Sequence, residues 1–339
     1  RRGGRGDRPS HPCRSREVTT GALGGSAPPA RPFRFAVVAA RLHDARSWRR
    51  LCGEVEALGY ASLYLPDFCM PQMGPLAALA AAATHTTTLR LGMLVANNDL
   101  RHPAVLAKEL ATIDVLSEGR LEWGMGAGWF PPGYRALGLP FDRPAVRAAR
   151  LFEAVELMQR MFAGAPVTHE ARHYRTRDLI GGPEPVQRPH PPLLIGAAGR
   201  KMLTFAGEKA DMVSVNRSFS TVSFGGRPPR QRPDEAVAEQ IGWISVAAGG
   251  RLSAVEISME VNPPVVVTDH QRGAVDRLPR ASGLSPERLL ADPRTSVGST
   301  AAIVDSVRGH RERFGVSHWV VFEDHLRDAA PIVAELAGR

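Results

Sequence analysis

The sequence has little of what marks metal-dependent or hydrolytic enzymes. Its three cysteines, Cys13, Cys52 and Cys69, form neither a CxxC pair nor a regular disulfide framework. His169 and His173 have the four-residue spacing of a zinc site, but they fall in a segment without helical periodicity. No GxSxG sequence marks a hydrolase nucleophile. We therefore expect no metal site and no hydrolase triad, and the scarcity of cysteine indicates a reducing, cytoplasmic location.

Long apolar segments are also missing. No stretch reaches the roughly 18 consecutive apolar residues of a membrane span, and no apolar core of signal-peptide length lies near the N-terminus. We therefore expect no membrane partner. An apolar fraction of 43% in 339 residues is ordinary for a globular protein and sufficient for a large core.

The positive charge of the chain is concentrated in one segment. Residues 1–32 contain seven Arg and two acids, which accounts for +5 of the formal net charge of +9. This segment is rich in Gly, Pro and Ser, so it buries too little surface to offset the entropy of ordering. We predict a disordered tail over 1–32 and one domain over 33–339. Arg-Gly clusters also occur in RNA-binding tails, so tail-mediated nucleic-acid binding is an alternative, although nucleic acid is not the partner we expect.

From residue 33 onward, short apolar runs alternate with amphipathic helical segments. Leu106, Leu110 and Ile113, for example, form the apolar stripe of one predicted helix. The predicted strands are Phe33–Ala39, Ser62–Leu65, Leu89–Val95, Arg120–Met125, Leu193–Ile195, Met212–Val215, Val255–Val261 and His318–Phe322. Eight such units predict an α/β fold, a (β/α)8 TIM barrel. An open, doubly wound sheet is the alternative, because periodicity does not separate the two.

Two segments interrupt the alternation. Residues 163–192 contain six prolines and no clear periodicity, which predicts an insertion after the fourth helix. Residues 217–233 are polar and rich in Gly, Pro and Arg. We expect both segments to cover the open end of the barrel.

In a TIM barrel, function collects in the loops that follow the strands. Asp67 ends the second strand, where it can serve catalysis, bind a ligand or only stabilise a turn. Asn97, Asn98 and Asp99 follow the third strand and permit unusual backbone geometry. Alternate glycines over 124–128 follow the fourth, but Pro131 and Pro132 exclude a dinucleotide fingerprint there.

The loop after the fifth strand has the composition of an anion site. Small residues over 196–199 lead into a helix whose N-terminus favours negative charge, and Arg200 and Lys201 follow. This pattern predicts a phosphate cradle, although a tight turn with solvent-facing basic residues has the same composition.

The succession of several segments resembles the luciferase-like monooxygenase superfamily, and within it the coenzyme F420-dependent branch. The resemblance is carried by LRLGMLV over 89–95, RHPA over 101–104, TIDVLSEGR over 112–120, GMGAGW over 124–129, PPLLIGAAG over 191–199 and GVSHWVV over 315–321. It spans nearly all of the chain from residue 33 to residue 336.

The resemblance implies a TIM barrel that binds F420 or, alternatively, FMN. It implies that the cofactor ring lies against the segment after the third strand and near the loop after the fourth, and that the cofactor phosphate lies at the loop after the fifth. The implied cofactor-binding residues are Asp67, Leu94, Val95, Ala96, Asn97, Gly126, Ala127, Gly128, Gly196, Ala197, Ala198, Gly199 and Arg200.

One position departs from the family pattern. Many F420-dependent members have Asp-His after the second strand, where the histidine faces the reacting centre, whereas this chain has Asp67-Phe68. A phenylalanine cannot transfer a proton, so we take Asp67 as the candidate catalytic residue. His43 and His102 are possible substitutes, and a histidine before proline at a helix start is more often structural.

We therefore predict an F420-dependent oxidoreductase that transfers a hydride between the deazaflavin and a small organic substrate. An FMN-dependent monooxygenase is the alternative within the same fold, and an inactive cofactor-binding barrel is the alternative outside enzymes. By analogy with the superfamily, a homodimer is possible.

Overall fold

The computed structural model describes residues 31–217, 231–262, 265–278 and 285–339. Eight parallel strands form its sheet: β1 (Arg34–Val38), β2 (Ser62–Leu65), β3 (Arg90–Met93), β4 (Leu121–Gly126), β5 (Leu193–Ala197), β6 (Met212–Val215), β7 (Glu256–Glu260) and β8 (Val316–Phe322). Each strand pairs with its successor, and Ala36 of β1 pairs with both Ser62 of β2 and Val320 of β8. The sheet therefore closes into a barrel, which confirms the predicted (β/α)8 fold over the open sheet.

Eight main helices follow the strands on the outside of the barrel. They are α1 (Ala45–Ala57), α2 (Pro75–His85), α3 (Pro103–Leu116), α4 (Pro144–Phe162), α5 (Arg200–Lys209), α6 (Pro233–Ala248), α7 (Thr300–Phe314) and α8 (Leu326–Leu336). Local sequence sets their ends. Asp44 caps α1 in a reciprocal capping box with Ser47, and Gly315 ends α7 in the left-handed conformation at φ 71°.

Several shorter elements join this frame. Short helices cover Pro131–Ala136, Gln271–Arg277 and Pro286–Leu290, and 3-10 turns cover Asn98–Leu100, Gly249–Ala254 and Glu323–His325. Ala96–Asn97 continues the pairing with β4 beyond the end of β3. Val266–Val267 pairs with Val297–Gly298 in a separate two-stranded sheet.

Side chains alternate along each strand between the helices and the barrel interior. The lower interior layer, at the amino ends of the strands, is polar. Glu122 accepts hydrogen bonds there from Arg34 at 2.6 Å, from Arg90 at 2.6 Å and from Ser62 at 3.0 Å, and Tyr64 also donates to it. Burial alone would raise the pKa of Glu122, but the guanidinium groups of Arg34 and Arg90 outweigh it and lower that pKa to about 2.

The insertion differs from our expectation. It contains an antiparallel hairpin of Val167–Glu170 and Arg175–Leu179. Its last part lies at the amino ends of the strands, where Gln187 bonds to Asp114 and to the Leu121 carbonyl. The expectation that the insertion covers the open end was therefore wrong for this last part, whereas Tyr174 in the hairpin turn accepts a hydrogen bond from Asn98, beyond β3. The physical reason is that α4 returns the chain to the opposite end of the barrel before the insertion begins.

Two predicted segments lie largely outside the described residues. Of the polar loop 217–233, residues 218–230 are among them, as are residues 1–30 of the predicted tail. Arg31 already bonds to the Ser253 carbonyl, and the Arg311 guanidinium lies 3.8 Å from the centre of the Phe33 ring. The boundary between tail and domain at residue 33 stays a prediction. Within the described ranges, no helix is long and apolar enough to cross a membrane.

Candidate functional site

The carboxyl ends of the strands form an open mouth. Ala40, Leu94, Val95 and Phe322 pack against the upper interior cluster and are only partly buried. The layer directly beneath them, which includes Val38, Tyr64 and Val320, is fully buried. The mouth is therefore a depression with a mainly apolar floor, and a ligand can reach it from solvent.

Val95 is at the centre of this floor, and the glycines around it leave room for its side chain. A Cβ at Gly126 would lie 2.4 Å from Val95 Cγ2, and a Cβ at Gly196 would lie 3.0 Å from Val95 Cγ1. Gly124 is equally constrained, since a Cβ there would lie 1.9 Å from the Met93 carbonyl oxygen. The glycines near the carboxyl ends of β4 and β5 thus let the segment after β3 place a flat apolar surface in the mouth. The peptide bond between Leu94 and Val95 is cis.

Asp67 joins the ends of β2 and β3. Its carboxylate is buried and forms a two-point ion pair with Arg101, at 2.5 and 2.9 Å, and it also accepts the backbone N–H of Asn97 at 3.0 Å. The carboxylate therefore holds Asn97 and Arg101, which follow Val95 in the chain. This geometry gives Asp67 a positioning role, and its predicted contact with a cofactor stays a prediction. Arg101 was missed as a site residue, although it stands in the RHPA motif.

The Asn97–Asp99 segment and the β4 loop are fixed to each other. Tyr134 donates to Asn97 Oδ1 at 3.0 Å and to Asp99 at 2.8 Å. Gly128 has φ 75°, and a Cβ on it would lie 2.0 Å from the Tyr134 hydroxyl. Arg147 donates to the carbonyl oxygens of Ala127 and Gly128. Gly128 is thus required by packing and backbone conformation, and the loop is a rigid wall of the mouth.

The predicted phosphate cradle lies at the N-terminus of α5. Gly199 is the N-cap of this helix, and among the described residues no side chain caps the N–H groups of its first turn. Apart from its chain neighbours, no atom of the described residues lies within 4 Å of the position a Gly199 Cβ would take. Arg200 and Lys201 are exposed at the same end, with Lys201 Nζ 5.6 Å from the centre of the Phe152 ring. Open N–H groups and positive charge at one helix end suit an anion.

Aromatic side chains form one edge of the mouth. The Phe68 ring lies 5.9 Å from that of Trp129 and 6.1 Å from that of Phe130, measured between centroids. A cavity of about 450 Å³ borders Phe68, Asp67 and Arg101 and extends towards Met73 and Leu139. At the position where the family often has histidine, this chain therefore offers an apolar surface.

The two candidate substitutes for that histidine are held in structural contacts. His102 Nδ1 accepts the Ala104 backbone N–H at 3.2 Å and caps α3, as a histidine before proline often does. His43 Nε2 lies 2.7 Å from the Glu323 carboxylate, which also accepts the N–H groups of Ala40 and Arg41.

Residues 169–173 read His-Glu-Ala-Arg-His and so match the letters of the zinc motif HExxH. In the structure His169 lies on the first strand of the hairpin and His173 lies in the turn between its two strands. The two histidines therefore do not share a helix face. In the described part of the chain, no group of three or more His, Cys, Asp or Glu side chains could hold a metal ion.

The wall formed by β6 and β7 carries charged residues that the sequence analysis missed. Arg217 lies 2.6 Å from Asp292, and Arg294 lies 3.4 Å from the same carboxylate. Glu260, the last residue of β7, lies near both arginines, and burial raises its pKa to about 7 although both arginines oppose the change. A carboxylate at a strand end was the signal that singled out Asp67. Applied to the seventh strand, the same signal finds Glu260.

The sequence profile of the luciferase-like monooxygenase family matches residues 25–225, more than half of the chain. The chain belongs to this family. Its β3–β5 region, with the Val95 surface and the α5 N-terminus, lies within the matched residues, whereas Glu260 and Arg294 lie beyond them.

Curated relatives match part of the chain. The 5,10-methylenetetrahydromethanopterin reductase of Methanopyrus kandleri is 33% identical over 151 residues, 41% of this chain and 43% of its own length. The F420-dependent glucose-6-phosphate dehydrogenase of Beutenbergia cavernae is 34% identical over 46% of this chain and 48% of its own length. The chain thus spans less than half the length of these relatives. The FMNH(2)-dependent dimethylsulfone monooxygenase of Pseudomonas putida is 26% identical over 70% of this chain and 64% of its own length.

Solved structures share the architecture over a greater length. The coenzyme F420-dependent tetrahydromethanopterin reductase of Methanopyrus kandleri aligns with a TM-score of 0.72 at 20% identity, over 90% of this chain and 98% of that one. DmoA of Hyphomicrobium sulfonivorans aligns with a TM-score of 0.71 at 15% identity, over 90% of this chain and 88% of its own. At these identities the likeness concerns the fold.

Proposed function

We propose that this protein is an oxidoreductase that binds coenzyme F420 in the barrel mouth and transfers a hydride to or from a small organic molecule. One observation carries the proposal: a flat apolar surface at Val95 and an uncapped, basic helix N-terminus at α5 open at the same end of the barrel. A ring with an anionic tail needs both features, so these residues fit such a cofactor. When bound, the cofactor supplies the redox chemistry.

Within this proposal, the residues of the chain bind the cofactor and orient it towards the substrate. Val95, with Leu94 and Ala96, would support one face of the ring, and the α5 N-terminus with Arg200 would hold the phosphate. The Asp67–Arg101 ion pair keeps in place the segment that would support the cofactor ring. The aromatic edge at Phe68 and Trp129 would exclude water and contact the substrate, since it is apolar and partly exposed.

An FMN-dependent monooxygenase is the second candidate. It is favoured by the dimethylsulfone monooxygenase, whose match covers a larger share of this chain than the matches to the F420-dependent relatives. Both cofactors bring a tricyclic ring and a phosphate, so the Val95 surface and the α5 N-terminus suit either one.

The test is a titration of the purified protein with oxidised F420 and, separately, with FMN at fixed salt, followed by fluorescence and calorimetry. We expect micromolar affinity for F420 and affinity for FMN at least about tenfold weaker, a difference of about 1.4 kcal/mol. The reverse preference would assign the protein to the FMN-dependent monooxygenases. A folded sample that binds neither compound would contradict the proposal and favour an inactive barrel.

A further inference from the structure

The seventh strand ends in a carboxylate, Glu260, at the mouth of the barrel. It ends β7, two residues beyond Ser258 and four beyond Glu256, and both of these face the interior, where Ser258 bonds to His318 and Glu256 bonds to Arg34. Since side chains on a strand alternate, Glu260 points to the same interior side, at the mouth. Its register partner Val320 belongs to the cluster on which Leu94 and Val95 pack.

The position of β7 relative to β3 places Glu260 across the mouth from Val95. The strands follow in order around a closed barrel of eight, so β3 and β7 are separated by three strands on either side. A molecule that lies on the Val95 surface therefore has Glu260 on the opposite wall. Glu260 itself is mostly but not fully buried at this edge of the mouth.

The charged neighbours of Glu260 are already paired with another carboxylate. Arg217 donates to Asp292 at 3.0 Å through Nε, and Asp292 also accepts the Arg294 backbone N–H at 3.0 Å. Asp292 is buried, so it holds both arginines firmly. Within the described residues, no hydrogen bond or ion pair engages the Glu260 carboxylate.

In the described part of the chain, the remaining neighbours offer Glu260 no proton partner. On the β8 side its partner Val320 is apolar, and the nearest titratable ring beneath, His318, bonds to Ser258. Burial raises the pKa of Glu260 to about 7, and the charges of Arg294 and Arg217 oppose that rise without overcoming it. A carboxyl that changes its protonation near neutral pH suits general acid–base work.

We propose that Glu260 is the proton-exchanging residue of the mouth and takes the role that Phe68 cannot perform. The inference rests on the proposed function. When a carbonyl substrate is reduced, its carbon would gain the hydride that the reduced deazaflavin supplies while the C=O π bond breaks, and its oxygen would take the proton of the Glu260 carboxyl. The Glu260 carboxylate would then take a proton from water, which in turn receives the ring N–H proton that the cofactor loses together with its hydride. In the oxidative direction the Glu260 carboxylate accepts the proton of the substrate hydroxyl as the C–H bond gives up its hydride to the oxidised deazaflavin.

The test begins with the protein free of cofactor. Infrared difference spectra between about pH 5 and pH 9 are recorded for the wild type, Glu260→Gln and, as a control, Glu312→Gln, which alters an exposed carboxylate on α7. We expect the C=O band of a protonated carboxylic acid to disappear near pH 7 in the wild type and in the control, and to be missing in Glu260→Gln. The same band in all three proteins would overturn the inference.

The second measurement is the affinity for oxidised F420 across the same pH range. Ionised Glu260 repels an anionic ligand, so the ratio of wild-type Kd to Glu260→Gln Kd should rise roughly threefold to tenfold with pH. Titration of F420 itself cancels in this ratio. A ratio that stays constant would show that Glu260 does not face the ligand and would overturn the inference. A wild type that binds neither F420 nor FMN refutes the proposed function, while the infrared titration still decides the protonation of Glu260.

Turnover gives a third readout once the titration has identified the cofactor and a substrate screen has given a reaction. We expect Glu260→Gln to lower kcat about 100-fold or more with KM within a fewfold, and Glu260→Asp to restore part of the loss. An equal loss in thermal stability for both variants, with kcat unchanged, would assign Glu260 a structural role instead.

Discussion

At the scale of single residues, the shape of the mouth depends on glycines, because they have no side chain. Gly126 faces the Val95 side chain at a distance that leaves no room for a methyl group, and at Gly196 a methyl group would be in tight contact with it. The family resemblance implies that both glycines contact the cofactor. The structure shows that they first accommodate Val95, which then forms the surface on which a ligand could lie.

Substitution of Gly126 by Ala tests this packing. The added Cβ would lie 2.4 Å from Val95 Cγ2, and the β-branched Val95 has little rotamer freedom with which to yield. We expect a loss of about 1–3 kcal/mol in the free energy of unfolding, measured by urea denaturation, together with weaker cofactor binding. Val95→Ala in the same chain should relieve the clash, so the double variant should lose less than the sum of the single losses.

Gly53→Ala is the matched control for that experiment. Gly53 lies inside α1, and no atom is within 4 Å of its Cβ position. The same chemical change should therefore stabilise the protein by about 0.5–1 kcal/mol. If Gly126→Ala behaved like Gly53→Ala, the Val95 contact would not constrain the mouth.

At the scale of elements, much could be predicted because the relevant signals are local. Short apolar runs predicted all eight strands, and the ends of these strands predicted which loops form the site. Asp67 and Asn97, which lie 30 residues apart in sequence, meet in one hydrogen bond because β2 and β3 are neighbours. What the sequence could not supply was the partner of each polar group. Neither the Arg101 ion pair nor the pairing of Arg217 and Arg294 with Asp292 follows from any spacing.

The α5 N-terminus offers a test at this scale that separates helix capping from anion binding. Asp and Asn at the N-cap stabilise a helix similarly, by a few tenths of a kcal/mol relative to Gly. Gly199 has φ −92° and open space around it, so either substitution fits without strain. Only Gly199→Asp adds negative charge beside the expected phosphate. We expect it to bind the cofactor about tenfold more weakly than Gly199→Asn at low salt, with unfolding midpoints alike.

Calorimetric titration with F420 or FMN measures the difference, and added salt should reduce it because exposed charges are screened. Equal affinities of the Asp and Asn variants would mean that the phosphate lies elsewhere in the mouth.

At the scale of the whole molecule, the barrel divides into two chemical halves. The mouth is open and mainly apolar, whereas the lower interior carries a buried network around Glu122. His318 lies next to this network, and burial together with the positive charge of Arg34 lowers its pKa to about 3. The network explains why several interior positions are charged in a barrel whose interior is more often aliphatic. The sequence pattern did not indicate this division, because the polar residues stand singly within otherwise apolar strands.

The buried groups of this lower half predict how the stability of the folded protein changes at acidic pH. His318 has a folded pKa of about 3, below its ordinary value of 6.5, so the unfolded chain takes up the proton first as the pH falls. The contribution of neutral His318 is therefore complete above pH 6.5 and is lost progressively from there down to about 3. Glu122 has a folded pKa of about 2 against an ordinary 4.5, so its contribution is lost at lower pH, between those two values. Stability should therefore begin to fall before Glu122 is protonated.

Urea unfolding between about pH 7 and pH 5 checks this order of events. One histidine that takes up its proton only on unfolding adds a slope of at most about 1.4 kcal/mol per pH unit. His318→Asn keeps a polar group towards Ser258 but does not titrate, so its stability should depend less steeply on pH over this interval than that of the wild type. His270→Asn, at an exposed position, serves as the control and should keep the wild-type slope. Equal slopes for all three proteins would show that His318 does not set the acid limit, because a buried neutral histidine must lose stability as the unfolded chain gains its proton.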